Sequence, residues 1–320
     1  MDSINTVFHI GYPKAASTTL QHHLFANHSE INYLSFKTPK EKQNNFHTEQ
    51  AKSFFHDLRV KNTIEYNFSN INQLFEKNIK PFLDDKHINV FSDEGYLLPH
   101  LGDIGLTGYR LKEIFGNLKI IIVIREQISL IESLYNMRPS NPLGINDSKN
   151  AFYSLEEWIE VNLNNLQWSI ISTLKYFEVI SWYIELFGKE NVGIFVFEDL
   201  LANPNKFTKD ICDFLNIDFN KCQKHLSDPQ NSYNRYNAMK LIPKYIPKSA
   251  SLTAKKVFPN MLYKNISQSI YHLVNNIPIN KEKLPLNSNY RSILNEFYRD
   301  SNIKIMNEFE LEIDKYGYIT

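Results

Sequence analysis

The sequence predicts an α/β protein in which a central parallel sheet lies between two layers of helices. Five short β-rich apolar runs alternate with stretches that have the 3.6-residue period of amphipathic helices, at 6–10, 31–34, 88–91, 119–124 and 192–197. Strands that alternate with helices in this way pair in parallel. The run IIIVI at 120–124 is apolar at consecutive positions, which is typical of a central strand that helices cover on both faces.

Helical periodicity predicts helices at 17–28, 41–58, 70–82, 106–115, 126–137, 154–165, 170–187, 203–215 and 288–307. Ser154 with Glu157 forms a capping box, and Gly188 is expected to end the helix that begins near Ser169. The segment 138–149 is predicted to be a surface loop, and 227–253 a mobile flap. No repeat or low-complexity linker divides the sequence, so we expect one domain over 1–320.

The composition excludes several classes of protein. Lys+Arg and Asp+Glu both number 35, so there is no overall basic field for non-specific binding to a nucleic acid. Two cysteines are too few for a disulfide framework and lack the spacing of a zinc site, which favours a reduced compartment. An export signal and an apolar run long enough to span a membrane are both missing from the sequence. We therefore expect a cytoplasmic protein with no membrane span.

The first segment that could bind a ligand is the strand–turn–helix sequence FHIGYPKAASTTLQHHL. Gly11 and Pro13 form the turn, and Ser17–Thr19 begin a helix whose N–H groups and dipole attract anions, with Lys14 adding charge. The segment is not a Walker A loop, because Ser17 stands at the position of its lysine and Ala16 at its last glycine. The alternative is that the hydroxyl groups of Ser17–Thr19 only cap the helix and bind no ligand.

The second segment is the central strand with the residues after it, IIIVIREQISLIESLYNM. Arg125 follows the carboxyl end of the strand, where open α/β sheets bind their ligands. Ser133 lies about two helical turns further on and can share a helix face with it, so the two side chains could hold one phosphate. Taken alone, Arg125 could equally be a surface charge or an ion-pair partner.

Together these segments resemble the PAPS-dependent sulfotransferase family. PKAASTT is similar to the family's 5′-phosphosulfate loop, and R-x7-S-x-Y to its 3′-phosphate motif. FVFEDLLANP resembles the family's YEDL-x-x-NP segment, with Phe197 in place of the tyrosine. YRSILNEFYRDSNIKI resembles the closing helix of the bacterial and glycan-type branch. The resemblance implies a three-layer P-loop-like fold, PAPS as donor, PAP as product and no metal.

The resemblance also implies roles for individual residues. Lys14 would contact the leaving phosphate, and the residues expected to bind the cofactor are Lys14, Ala15, Ala16, Ser17, Thr18, Thr19, Arg125 and Ser133. Arg235 is the expected substitute for the basic segment that closes over the 3′-phosphate in cytosolic relatives. Where the family usually has glycine, this sequence has Ala16. The methyl group of alanine hinders close contact between the backbone and the phosphate, so we expect the affinity for the cofactor to be the property that this difference changes most.

Transfer of a sulfuryl group to a hydroxyl also requires a base near the sulfur, because the hydroxyl must lose its proton. Glu94 and Asp93 follow the predicted strand at 88–91, at the same sheet edge as the other motifs, and Glu94 is our first candidate with Asp93 second. Both could instead be solvated capping carboxylates. Three histidines could act here but are more simply packed residues: His22, His23 and His100.

The acceptor implied by the resemblance is a carbohydrate or glycolipid. The sequence leaves two other classes of protein open. One is a P-loop kinase or NTPase, which is disfavoured because Lys14 does not occupy the position of the Walker A lysine. The other is a noncatalytic nucleotide-binding or scaffolding protein.

Overall fold

The computed structural model describes residues 5–34, 48–144, 153–222 and 286–320. Five parallel strands form one sheet in the order β2-β3-β1-β4-β5. Their bounds are β1 Thr6–His9, β2 Ile31–Leu34, β3 Ile88–Ser92, β4 Lys119–Ile124 and β5 Val192–Val196. The prediction of a central parallel sheet flanked by helices is confirmed, with each strand within a residue of its predicted bounds.

The strand order brings three separate stretches of chain to one edge of the sheet. β1 is central, with β3 on one side and β4 on the other. The register pairs His9 with Ser92, and Ile121 with His9 on the opposite side. Parallel strands end at a common edge, so the residues that follow β1, β3 and β4 are neighbours. The chain builds β2 and β3 on one side of β1 and then β4 and β5 on the other, and open α/β sheets bind ligands where the strand order reverses in this way.

The helices depart from the prediction in two main places. Their bounds are α1 Ser17–Thr19, which continues as the π-helical segment Leu20–Phe25, α2 Glu49–Val60, α3 Phe68–Asn78, α4 Ile104–Phe115, α5 Gln127–Met137, α6 Leu155–Leu163, α7 Ile170–Thr173, α8 Tyr176–Phe187, α9 Phe197–Ala202, α10 Pro204–Leu215 and α11 Ser288–Phe309. The predicted helix at 170–187 is two helices, and α9 begins where the sequence predicts the last strand residue. Residues 41–47 of the second predicted helix lie outside the described residues.

Local chemistry explains several helix ends. The Ser154 hydroxyl accepts a hydrogen bond from the Glu157 N–H while the Glu157 carboxylate accepts from the Ser154 N–H, so the predicted capping box is present. Gly188 ends α8 with a positive φ of 89°, a backbone conformation that glycine adopts without strain. The break before α8 falls at Lys175, whose ψ of 79° is not helical.

The core lies on both faces of the sheet. The five apolar residues of β4 that follow Lys119 are buried, which requires cover on each side. On one side an aromatic cluster forms around Phe8, whose ring lies 4.9 Å from those of Phe91 and Phe115. α8 packs against β4 and β5, and α10 against β5. Close packing of this kind fixes the strand ends that carry the site.

Candidate active site

The segment after β1 is a loop with an unusual backbone. Lys14 and Ala16 have φ of 69° and 63°, in the left-handed region that costs a residue with a side chain about 1–2 kcal/mol. Gly11 is required for a different reason, because a Cβ there would lie 2.6 Å from Nε2 of His9. Two left-handed residues separated by one other turn the chain sharply, so the loop curls in front of the start of α1.

Buried hydrogen bonds hold this loop. The Tyr12 carbonyl accepts from the Ala15 N–H at 3.2 Å and from the Ser17 hydroxyl at 3.1 Å. The Tyr12 hydroxyl donates to the Thr173 carbonyl at the end of α7, at 2.6 Å. The first N–H groups of a helix have no acceptor within the helix, so the start of α1 behind the loop is a place where N–H groups can face an anion. Lys14 and Thr18 are half-buried, and this combination of donors and charge suits an anion.

Arg125 connects this loop to the segment after β4. Its side chain is buried, with Nη1 donating to the Lys14 carbonyl at 2.7 Å and Nη2 donating to the Ser129 hydroxyl at 2.8 Å. The guanidinium lies over the Phe197 ring, 4.6 Å from its centroid. Its Nε is buried without a hydrogen-bond partner among the described residues. A buried guanidinium with an unused donor is expected to have an anionic ligand.

Ser133 lies on the same helix face as Ser129, one turn further along α5. It is half-buried, and no hydrogen bond joins it to Arg125 directly. Ser129 is therefore a partner of Arg125 that the sequence analysis missed. The spacing of four residues from Arg125, about one helical turn, is the sequence signal for this contact, whereas the family motif contains only the later serine, Ser133.

A carboxylate network lies behind Arg125. Glu126 caps α5, with its two oxygens accepting from the Ile128 and Ser129 N–H groups at 2.9 and 2.7 Å. The Glu126 N–H donates to Glu198 at the start of α9, at 3.0 Å. The other Glu198 oxygen accepts from the Tyr318 hydroxyl at 3.1 Å. The C-terminal tail, residues 310–320, thus reaches the residues next to Arg125.

Burial dominates the electrostatics of this network. It raises the pKa of both Glu126 and Glu198 above the ordinary value, against the hydrogen bonds that lower it. Arg125 lowers the pKa of Glu198 as well, so its positive charge is felt at that carboxylate. The tail makes a second, more exposed contact, in which the Tyr316 hydroxyl donates to Asp199 at 2.5 Å.

The segment after β3 carries the two candidate bases, and they differ in their surroundings. Asp93 accepts from the Gly95 N–H at 2.9 Å and forms an ion pair with Arg59, which extends from the end of α2. Glu94 is half-buried at the first position of the 3₁₀ turn Glu94–Leu97. Nothing in the sequence signals the Arg59–Asp93 pair, because its members are far apart along the chain.

A buried polar contact joins this segment to the other two. The Ser92 hydroxyl lies 2.7 Å from Nδ1 of His9 and accepts from the Gln21 side-chain amide at 2.9 Å. The end of β3 is thereby tied to β1 and to the helical segment that follows the loop. The sequence analysis missed all three residues.

The remaining predicted residues lie apart from these contacts or outside the described residues. His100 hydrogen-bonds with Arg138, 3.0 Å from its Nη1, and burial together with that charge lowers its pKa to about 4. Arg235 and the flap at 227–253 lie outside the described residues. The part of the chain that the structure describes contains no cluster of three metal-ligating side chains. In the same residues, no helix has the length and apolar character needed to cross a bilayer.

Solved structures of similar fold include three sulfotransferases. One from Alicyclobacillus acidocaldarius is 16% identical with a TM-score of 0.48, and the match covers 81% of this chain and 98% of that one. The sulfotransferase domain from the curacin biosynthetic pathway is 17% identical with a TM-score of 0.42, over 84% and 98%. Mouse sulfotransferase SULT7A1, complexed with PAP, is 14% identical with a TM-score of 0.40, over 82% and 88%.

No curated protein matches the chain by sequence. The model of the sulfotransferase domain family matches residues 5–261, a range that begins just before β1 and includes the loop, Glu94, Arg125 and α9. On this match, which spans well over half of the sequence, the chain belongs to the sulfotransferase family.

Proposed function

We propose that this protein transfers a sulfuryl group from PAPS to a hydroxyl or amine group of a carbohydrate or glycolipid acceptor. The observation that carries the proposal is the hydrogen bond from Arg125 to the Lys14 carbonyl at 2.7 Å. It supports the proposal because it joins the two segments that resemble the family's 5′- and 3′-phosphate motifs, which are more than a hundred residues apart in the sequence. A donor with phosphate groups at both ends of its nucleoside requires such a site.

The residues present suit this donor. The loop from Lys14 to Thr19 offers backbone N–H groups, hydroxyls and an ammonium group for the 5′ end. Arg125 has an unused buried Nε–H for the 3′-phosphate, with the Ser133 hydroxyl two turns along the same segment. These donors bind phosphate oxygens without a metal ion. Arg235, outside the described residues, is proposed to complete the 3′-phosphate site.

The chemistry divides between two side chains. PAPS, when bound, supplies an activated sulfuryl group on its 5′-phosphate. Lys14 stabilises the negative charge that develops on the departing phosphate oxygen. Glu94, the first candidate from the sequence, accepts the proton of the acceptor hydroxyl. Asp93, whose carboxylate is held by Arg59 and the Gly95 N–H, remains the second candidate.

The carbohydrate or glycolipid acceptor is supported by the resemblance of the loop and the closing helix to the glycan-type branch. We further propose that residues 1–320 form a single domain and that the protein acts in the cytoplasm. The low cysteine content, two in 320 residues, is consistent with a reducing compartment.

Nucleotide binding is the first test. Calorimetric titration with PAP and with ATP, each with and without Mg²⁺, should show tight, metal-independent binding of PAP. Binding of Mg-ATP in preference to PAP would instead indicate a kinase or NTPase and would overturn the proposal. PAP binding without transfer to any member of a glycan and glycolipid panel, with radiolabelled PAPS as donor, would indicate a noncatalytic protein.

Two variants then test the assigned roles. Glu94→Gln should lower kcat by about a hundredfold or more with PAP affinity unchanged, because it removes the base and leaves the donor site intact. Lys14→Ala should lower kcat to a similar extent and also weaken PAP binding. Glu49→Gln and Lys52→Ala, which alter an exposed ion pair on α2, are the matched controls. Full turnover by Glu94→Gln would contradict its assignment as the base.

A further inference from the structure

Two neighbouring strands of the sheet end in polar side chains that contact each other in the core. His9 is the last residue of β1 and Ser92 is the last residue of β3, and the parallel register pairs them directly. Both are buried, and Nδ1 of His9 lies 2.7 Å from the Ser92 hydroxyl oxygen. Burial of polar groups is costly unless they are hydrogen-bonded, so this contact fixes the two strand ends relative to each other.

A third side chain sets the direction of this hydrogen bond. The side-chain amide nitrogen of Gln21 donates to the Ser92 oxygen at 2.9 Å, from the π-helical segment that follows α1. Because its oxygen accepts from Gln21, the Ser92 hydroxyl has its own hydrogen to donate to Nδ1 of His9. A neutral imidazole that accepts at Nδ1 carries its hydrogen on Nε2, and complete burial of the ring favours the neutral form.

The His9 ring is packed on its other sides. Its Nε2 lies against Gly11, at the start of the loop after β1, where a Cβ would be only 2.6 Å away. The centroid of the Phe25 ring lies 5.6 Å from that of the imidazole. The imidazole cannot turn without displacing the loop or the helical segment, so Nδ1 keeps its direction towards Ser92.

The contact joins the two segments that carry the proposed chemistry. His9 lies five residues before Lys14, and Ser92 lies two residues before Glu94. The Asp93 N–H donates to the His9 carbonyl at 3.1 Å, so a backbone hydrogen bond lies beside the side-chain contact. In-line transfer requires the departing oxygen and the acceptor hydroxyl to lie on opposite sides of the sulfur at a fixed distance. The spacing between the loop and the turn after β3 is the quantity that this contact sets.

We propose that His9 is a positioning residue for sulfuryl transfer. By accepting a hydrogen bond from Ser92 at Nδ1, its neutral imidazole fixes the turn that carries Glu94 relative to the loop that carries Lys14. This inference rests on the proposed function, because it gives His9 no contact with either substrate. It adds a residue on which the rate of transfer depends and the affinity for the donor does not.

The protonation state of His9 can be tested without an activity measurement. Long-range ¹H–¹⁵N correlation spectra of the wild-type protein should show the His9 ring with its hydrogen on Nε2. Its signals are assigned by their loss in His9→Asn. A hydrogen on Nδ1, or on both nitrogens, would overturn the inference, because Nδ1 could not then accept from Ser92.

Two substitutions separate the hydrogen bond from the volume of the ring. His9→Leu keeps an apolar side chain of moderate size but removes the acceptor, and we expect kcat to fall about tenfold or more. His9→Asn can place its amide oxygen near the position of Nδ1, so it should recover most of that loss. The dissociation constant for PAP, measured by calorimetry, should stay within about twofold of the wild-type value in both variants. The value of kcat is measured with radiolabelled PAPS and the acceptor that gives the highest turnover in the glycan and glycolipid panel.

Ser92→Ala removes the donor of the same hydrogen bond and should lower kcat as much as His9→Leu does. The double variant should be no slower than either single variant, because each removes the same contact. Asn89→Ala is the matched control, since Asn89 is also buried on β3 but hydrogen-bonds near the other end of the strand, with Asn32 and the Asp84 carbonyl. It should lower the free energy of unfolding in urea at least as much as Ser92→Ala and leave kcat unchanged.

The outcomes separate this inference from the proposed function. If the wild type does not bind PAP, or transfers to no acceptor of the panel, the proposed function is wrong and this inference falls with it. If the wild type is active, a kcat near the wild-type value in His9→Leu or Ser92→Ala overturns this inference alone. A loss of kcat in Asn89→Ala that matches its loss of stability also overturns it, because the contact would then only support the fold.

Discussion

The contact between the C-terminal tail and Glu198 leads to a quantitative prediction for Tyr318→Phe. The substitution deletes one hydroxyl and keeps the ring in place. That hydroxyl is buried, with Tyr318 3% exposed, and it donates to a carboxylate whose pKa burial already raises. Loss of a buried hydrogen bond to a charged group should lower the free energy of unfolding by about 2 kcal/mol, because water cannot replace the lost donor.

Tyr316→Phe is the matched control for Tyr318→Phe, because it also removes a tail hydroxyl that donates to a carboxylate. This variant removes a hydroxyl that donates to Asp199, but the Asp199 side chain is 42% exposed, so water can replace the donor. The loss there should stay below about 1 kcal/mol. Both values can be measured by urea unfolding followed by tryptophan fluorescence, with the midpoints compared at equal slope.

The tail network also bears on the proposed donor site, because Glu198 accepts the hydrogen bond of the Glu126 N–H next to Arg125. We expect PAP affinity to fall in Tyr318→Phe and to stay unchanged in Tyr316→Phe. Equal losses of stability in the two variants would refute the reasoning that burial gives the Glu198 contact its strength. Unchanged PAP affinity in both would show that the network supports the fold and not the donor site.

Three further predictions concern the loop after β1, the buried carboxylate of Glu198 and the His100 ring. Ala16→Gly should raise the free energy of unfolding by about 0.5–1 kcal/mol in urea, since it relieves a left-handed alanine, whereas Ala15→Gly, where φ is not positive, should lower it. Burial raises the pKa of Glu198 in the folded state, so its protonation stabilises the fold below pH 4.5, and this stabilisation is lost as the pH rises through the folded pKa. The free energy of unfolding should therefore fall less over that pH range in Glu198→Gln than in the wild type. The His100 ring should titrate with a pKa of about 4 by NMR, and a midpoint near 6.5 would contradict the burial described for it.

The strands could be predicted because burial on both faces leaves a direct trace in the sequence. A buried parallel strand needs consecutive apolar residues, as in β4, and few other elements show that pattern. The break before α8 and the start of α9 at Phe197 were missed for the converse reason. Neither point is marked by a glycine or a proline, since the break lies in IISTLKYF at 170–177 and α9 follows the last strand directly. Periodicity alone therefore does not reveal where the backbone changes direction.

The candidate site could be predicted in part by the same logic. Lys14, Glu94 and Arg125 each follow a strand closely, and parallel strands end at one sheet edge, so their neighbourhood follows from topology. The partners that hold these residues come from elsewhere in the chain. Arg59 reaches Asp93 from the end of α2. Long-range contacts of this kind depend on how the helices pack, and a single sequence contains no local signal for them.

The hydrogen bond from Arg125 to the Lys14 carbonyl has a consequence for inhibition and for engineering. Because the guanidinium donates to the backbone of the proposed 5′-phosphate loop, it cannot move without disturbing that loop. We therefore expect a compound that carries only one of the two phosphate ends to have much less than half of the binding free energy of a compound that carries both. For the same reason, mutagenesis aimed at one phosphate subsite should alter selectivity at the other.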